Sequence, residues 1–327
     1  MRCQDKKPSH LITPEKAQHH AEILSNRVRN RFRHLFRRFK RQNIECFRLY
    51  DWDIPEVRAV VDWYAGHIVV AEYERLQTGP QWLSTMAKAV ALALGVPPEK
   101  THIKRRHTNT KEGPRYQKME SRGKRFEVKE RDLRFWVNLD DFLDTGLFSD
   151  HRDTRVIVQE LAKGKDFLNL FAYTGAFTCA AAAGGAKSTT TVDRSETYLK
   201  WARDNLALNG LWGAKHTLVQ SDVNRFLDKA YRERLRFTLA FIDPPSFFQD
   251  QNNEVSFDIN RDHPQLIQSV LKIMAPGSTV FFSANHQRFE PRLDIPMAKD
   301  IVELTPKTIP EDYRNRKVHR CWRMTAV

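Results

Sequence analysis

The chain has 327 residues, enough for one large and one smaller domain, and its hydrophobic fraction of 41% is that of an ordinary globular protein. No apolar run reaches bilayer-spanning length, MRCQDKKPSH at the start carries no signal-peptide stretch, and the four cysteines include no C-x-x-C pair. Membrane insertion, a disulfide framework and a zinc or other metal site are therefore not expected, a cytoplasmic location is, and the formal charge of +14 points to a polyanionic partner, of which nucleic acid is the commonest.

Residues 1–20 are expected to form a flexible terminus. The stretch RVRNRFRHLFRRFKRQ, residues 27–42, then contains no acid. Leu24, Val28, Phe32, Leu35, Phe36 and Phe39 fall at helical spacing, so one face can pack. Arg27, Arg29, Arg31, Arg33, Arg37, Arg38 and Arg41 fan outward, which suits a phosphate backbone. IECFRLYD and HIVVAEYE read as strands, and PQWLSTMAKAVALALG as a helix ending at Gly95. Residues 101–125, THIKRRHTNTKEGPRYQKMESRGKR, have little periodicity and read as a loop or long hairpin. Lys104, Arg105, Arg106 and Arg115 are its candidate phosphate contacts, and Tyr116 can stack on a base. Residues 21–125 thus read as a basic helix plus a small α+β RNA-binding domain, and KRFEVKERDLRFWVNLDD as a hairpin.

Residues 126–327 are expected to form the larger domain, and from about residue 154 the rhythm changes. Helix TRVIVQELA leads to strand DFLNLFAY and the small-residue helix GAFTCAAAAGG. Strand STTTVD, helix SETYLKWARDNLALNG, strand HTLVQSD, helix VNRFLDKAYRE and strand FTLAFID follow, then helix RDHPQLIQSVLKIM and strand STVFFSAN. Alternating strands and helices imply an α/β fold with a mostly parallel sheet covered on both faces. DIVELTPKTI and KVHRCWRMTAV, with no long helix between them, are expected as an antiparallel pair at the C-terminal edge.

In a doubly wound sheet, ligands bind beyond the carboxyl ends of the strands. The first strand ends in NLFAYTGAF, where Gly175 permits close backbone approach and the next helix offers its N–H groups. The second ends at Asp193, suited to two ribose hydroxyls, although Asp193 before RSET has helix capping as its alternative. The third places Asp222 where it can accept from an exocyclic amine, and the fourth runs into IDPPSFF. No G-x-G-x-x-G and no Walker cradle is present. An adenosine ligand without pyrophosphate fits better, and S-adenosylmethionine has that form.

VNLDDFLDTGLFSDHRDTR, FLNLFAYTGAFT, TTTVDRSETYLKWARDNLALNG, FIDPPSFF and VHRCW together resemble the large-subunit ribosomal RNA methyltransferases. The likeness is greatest to the guanine-N7 module, the K half of the bifunctional K/L enzyme of 23S rRNA. It runs from about residue 27 to the C-terminus and includes no counterpart of the other half, so a stand-alone module is expected. The resemblance implies a class I, Rossmann-like methyltransferase fold, S-adenosylmethionine as donor and 23S rRNA or its precursor as substrate. It places His151 and Arg152 beside the methionine end of the cofactor, and makes Phe171, Tyr173, Thr174, Gly175, Ala176, Asp193, Ser195 and Asp222 cofactor contacts. Asn205 is a further member, with stabilisation of the helix end as its other role.

Related enzymes that methylate cytosine C5 need a cysteine nucleophile. The resemblance puts that cysteine just after the fifth strand, where this chain reads FFSANH and has Ala284. Cys3, Cys46, Cys179 and Cys321 lie elsewhere, so C5 chemistry is disfavoured. Guanine N7 carries an in-plane lone pair and no proton, so in-line attack on the sulfonium methyl needs positioning rather than covalent catalysis. Asp243 can accept from guanine N1–H and N2–H, the Pro244 carbonyl can point into the site beside Pro245, and Phe247 or Phe248 can stack on the ring. An exocyclic amine is the alternative target. A non-catalytic RNA-binding protein on a methyltransferase fold and a small-molecule methyltransferase are the other classes.

Overall fold

The computed structural model describes residues 11–73, 75, 77–106, 124–249 and 255–327. They divide into two compact units. One comprises the described residues of Met1–Asp132 with Val137–Thr145, the other Leu133–Trp136 with Gly146–Val327. Among the described residues no helix is long and apolar enough to cross a membrane.

The first unit opens with helix α1, Pro14–Arg41. The Thr13 hydroxyl accepts from the Lys16 N–H, Glu15 sits in the first turn, and Arg38, Lys40 and Arg41 close the last, as the helix dipole favours. Of the terminus expected to be flexible, residues 1–10 lie outside the described set, whereas from Pro14 the chain is helical, and His20 is buried, accepting from the Trp82 indole N–H at 3.2 Å. Arg29, Arg33, Arg37 and Arg41 follow at four-residue spacing, where each like-charge pair costs about 0.2–0.5 kcal/mol. Burial of Ala21, Leu24, Val28, Leu35 and Phe39 offsets that cost.

Strands β1 (Cys46–Asp51), β2 (Ala59–Tyr64) and β3 (His67–Tyr73), helix α2 (Trp82–Leu94), and strand β4 (Thr101–Arg106) complete a four-stranded sheet in the order β1-β2-β3-β4. β2 is a strand beyond those read from the sequence. Its central Asp62 accepts from Arg48 of β1 at 2.8 Å. β3 and β4 run parallel because α2 carries the chain back across the sheet. Residues 101–106, read as part of a loop or long hairpin, are thus a strand paired in parallel with β3; residues 107–123, with Arg115 and Tyr116, lie outside the described set. Strand β5 (Phe126–Glu130) follows.

Strand β6 (Leu133–Val137) carries the chain into the second unit. There follow α3 (Arg152–Leu161), β7 (Asp166–Leu170), α4 (Ala176–Ala183), β8 (Ser188–Asp193), α5 (Glu196–Leu208), β9 (His216–Gln220), α6 (Val223–Arg232) and β10 (Phe237–Ile242). The short strands β11 (Phe247–Gln249) and β12 (Val255–Asp258) pair antiparallel, a ribbon the sequence did not reveal. Helix α7 (Ile259–Leu271), β13 (Met274–Ala284), β14 (Ala298–Glu303), α8 (Thr305–Thr308) and β15 (Arg320–Ala326) close the chain.

The main sheet has seven strands in the order β14-β15-β13-β10-β7-β8-β9. The run from β13 to β9 is parallel; β15 is antiparallel to both β13 and β14. The antiparallel pair is as expected, with the last strand inserted inside the edge. β10 shows why both faces are covered. Ala240 and Ile242 pack with Phe226 and Leu227 of α6 and Ile267 and Val270 of α7. Leu239 and Phe241 turn the other way, to Val158 of α3 and Phe177 and Ala181 of α4. A sheet buried on both sides needs continuous apolar strands, which is what these are. This is the class I methyltransferase fold.

Candidate active site

Parallel registers bring four strand ends to one edge. Ile242 of β10 pairs with Leu170 of β7, Leu170 with Val192 of β8, and Asp193 with Gln220 of β9. Asp243, the 171–175 loop, Asp193 and Asp222 therefore emerge in a row, astride the β7–β10 junction from which the strand order runs both ways.

The loop after β7 is tightly wound. Phe171, Tyr173 and Gly175 all have left-handed backbone, at φ 55°, 50° and 71°. At Gly175 a Cβ would lie 2.6 Å from Ala202 Cβ of α5, so only glycine fits. The Asp193 carboxylate closes the loop: Oδ2 accepts from Tyr173 N–H and Oδ1 from Ser195 N–H, both at 2.9 Å. Burial pushes this carboxyl above its ordinary value, against the pull of those N–H groups. The cap of α5 is Ser195, whose Oγ accepts from Tyr198 N–H; Asp193 does not cap it. Asp222 does cap α6, Oδ1 accepting from Asn224 and Arg225 N–H, while Oδ2 has no partner among the described residues.

Three of the expected contacts are supports instead. Asn205 is fully buried, donating to Thr174 O at 2.9 Å and accepting from Trp136 N–H at 2.9 Å. The buried Thr174 hydroxyl donates to Gly146 O at 2.6 Å. Arg152 is buried, its Nη2 donating to both Asp312 carboxylate oxygens at 3.1 Å. It is not at a ligand surface. Gly146 itself sits where a Cβ would meet the Trp201 ring at 2.3 Å, and its N–H donates to the Tyr173 hydroxyl.

His151 likewise lies behind the edge, against Asp243. Its Nε2 is 3.6 Å from Asp243 Oδ2 and 3.5 Å from Ser283 Oγ, and its ring stacks on His319 at 3.9 Å. His319 hydrogen-bonds Asp150 Oδ2 through Nδ1 at 2.9 Å and Thr308 through Nε2 at 3.2 Å. Burial, reinforced by His319, holds His151 well below the usual histidine value, so it is neutral. Burial raises Asp243 to about 6; the Ser283 hydroxyl opposes the shift and Asp150 adds to it. Asp243 Oδ1 has no hydrogen-bond partner among the described residues. The sequence reading missed Asp150, Ser283, Asp312 and His319.

After Asp243, Pro244 is buried and Pro245 and Phe247 are partly exposed. The Ser246 hydroxyl donates to Asn285 Oδ1, and Ser246 O accepts from Ile259 N–H, which fixes the turn. The Arg194 guanidinium lies 4.1 Å over the Phe248 ring, so one face of Phe248 is covered and Phe247 is the better stacking candidate.

Residues 52–302 match the family model of the S-adenosylmethionine-dependent methyltransferases. The chain belongs to this family. Its cofactor is S-adenosylmethionine, and its reaction is methyl transfer. Among solved structures it is similar to SMU.776, a candidate methyltransferase complexed with SAH, at 23% identity over 95% of this chain and 82% of that one, TM-score 0.73. It is also similar to a candidate SAM-dependent methyltransferase from Streptococcus mutans, at 22% identity over 97% and 84%, TM-score 0.71. A third similar structure is the complex of aTrm5 and tRNALeu, at 13% identity over 79% and 70%, TM-score 0.50.

In this methyltransferase, Cys46, Cys179 and Cys321 are all buried. Burial pushes the Cys179 and Cys321 thiols up, and the Asp243 and Glu303 charges raise Cys321 further, so neither is poised as a thiolate. Asp150, His151 and His319 bring donor atoms within 4.8 Å of one another. The two imidazoles are stacked at 12°, which sets their in-plane lone pairs side by side rather than converging on one ion.

The basic residues of the first unit divide. Arg33, Arg37, Arg38 and Arg41 are exposed and Arg31 is partly so. Arg27 is paired with Asp53 at 2.8 Å. Lys104 is buried, its Nζ donating to Phe142 O at 2.6 Å and Leu143 O at 3.1 Å, so it does not reach RNA. Arg105 faces Glu72 at 3.4 Å and Pro80 O. Arg106 ends β4.

Proposed function

We propose that this methyltransferase transfers a methyl group to N7 of a guanine in large-subunit (23S) rRNA. The observation that carries the reading is the orphaned Oδ1 of Asp243, a buried acceptor at the end of β10 with Pro244 and Pro245 after it. An unmet acceptor in such a place costs stability unless a ligand donor completes it.

The loop and Asp193 suit the cofactor. Each Asp193 oxygen holds one N–H and keeps lone pairs for a ribose hydroxyl. Asp222 Oδ2 would accept from the adenine amine, and the 171–176 backbone with Ser195 would hold the amino-acid end. Bound there, S-adenosylmethionine supplies an electrophilic methyl group on sulfur. Asp243 accepts guanine N1–H and N2–H, Phe247 stacks on the ring, and the Pro244 carbonyl borders the base. Together they hold the purine edge in line and exclude water. No thiol is needed, in keeping with the buried cysteines.

The RNA half of the reading rests on the exposed arginines of α1 and on the sequence resemblance. In aTrm5 the same kind of fold is found with tRNA. The first unit is the RNA-binding domain in this account. An exocyclic amine is a second target with its own support: a carboxylate raised to about 6 is a better proton acceptor than an ordinary one, and amine methylation must release a proton.

The test is transfer of a labelled methyl group from S-adenosylmethionine to deproteinised large-subunit rRNA. The wild type should label it, and Asp243→Ala should transfer about 10²-fold more slowly while binding the cofactor normally. Equal rates would remove Asp243 from the reaction, and no labelling of rRNA with good cofactor binding would remove the substrate.

A further inference from the structure

We infer that Phe32 and Phe36 of α1 form a stacking platform for an unpaired nucleobase, with Arg33 and Arg37 holding the phosphates beside it. This rests on the RNA-substrate reading above and adds a second base site, apart from the one at Asp243.

The rings are fixed from below. Phe32 and Phe36 stack on each other at 4.7 Å and 29°. Phe32 meets Trp63 at 4.7 Å, and Phe36 meets it edge-on at 6.1 Å. Trp63 in turn lies over the buried Phe47 at 6.3 Å and 30°. The column therefore runs from the core outward, and its two outer rings remain only partly buried.

Charge selects the occupant. Arg33 and Arg37 are exposed, one turn apart, and have no ion-pair partner among the described residues. No acid follows Glu22 in α1. These two arginines and the two phenylalanines line a recess of about 400 Å³. It is an open surface recess, with room for a base laid against the rings. An apolar protein segment would have to desolvate both guanidinium groups. A polyanion without rings would leave the aromatic faces uncovered. A single-stranded nucleic acid meets both needs, since base–aromatic stacking and phosphate contact are its ordinary recognition mode.

The test uses the full protein and fluorescence anisotropy with two probes of equal length, an oligoadenylate and an abasic ribose-phosphate oligomer. The wild type should prefer the oligoadenylate roughly ten-fold. Phe36→Leu, which keeps apolar bulk, should abolish the preference without changing abasic affinity or melting temperature. Arg37→Gln should weaken both probes alike and lower the slope of log K against log salt by about 0.7. Equal wild-type affinity for the two probes overturns the platform, as does a preference that survives Phe36→Leu. Displacement of the RNA by polyglutamate at equal charge overturns it too, and marks the face as a site for acidic peptide. If large-subunit rRNA is bound and methylated but the probes are not distinguished, only the platform falls. If no rRNA is bound, the substrate reading falls with it.

Discussion

Burial raises the Asp243 carboxyl to about 6 from an ordinary 3.8, and this has two opposite consequences. As an acceptor for guanine it must be ionised, so kcat/KM should rise with pH through a midpoint near 6 and then level off. For folding the sign is reversed. Between 3.8 and about 6 the folded chain binds the proton that the unfolded chain has lost, so stability falls as pH rises through that window. Asp243→Asn removes the penalty. It should raise the melting temperature above pH 7 by roughly 2–4 °C while impairing transfer. A pH–rate profile and a thermal melt check the pair, and a lowered melting temperature would contradict the assignment. His151→Ala should admit water behind Asp243 and move the pH midpoint down. The strand-end acids were legible because a polar residue after an apolar run at a sheet's carboxyl edge has a positional meaning. Asp150, Ser283 and His319 were not, since buried polar partners far apart in sequence follow no period.

At the scale of elements, the loop after β7 and the entry to α3 show how much support the edge requires. Gly175→Ala would drive a Cβ into Ala202 and force an alanine to φ 71°. Isothermal calorimetry should then show S-adenosylmethionine affinity reduced at least ten-fold; unchanged affinity would mean that the loop does not touch the cofactor. Arg152 and Asp312 lock the start of α3 to the segment before β15. Truncating only Asp312 to Ala leaves a buried guanidinium and should cost about 3–5 kcal/mol in denaturant unfolding. Replacing both by apolar residues of similar volume should cost much less. The sequence showed the DHR motif but not its partner, because an ion pair joining Arg152 to Asp312 has no local signature. β4 was hidden by its charges: IKRR looks like a basic loop until Lys104 is seen capping carbonyls. β2 was hidden by Asp62, whose charge is matched only across the strand pair. The ribbon of β11 and β12 is too short for periodicity to show.

At the scale of the whole molecule, two physical demands meet in one chain. The second unit needs a dry, rigid sheet edge, and its apolar strands announced that fold plainly. The first carries the basic stretch 27–42, which has no acid, and on the proposed function this charge serves an RNA substrate. What the composition could not fix was the atom that receives the methyl group, since Asp243 can serve either a guanine edge or an exocyclic amine. Nucleoside mass spectrometry of large-subunit rRNA incubated with the protein and isotopically labelled S-adenosylmethionine decides it. The label should appear in 7-methylguanosine. Label in an N-methylated exocyclic amine or in 5-methylcytidine would contradict the account.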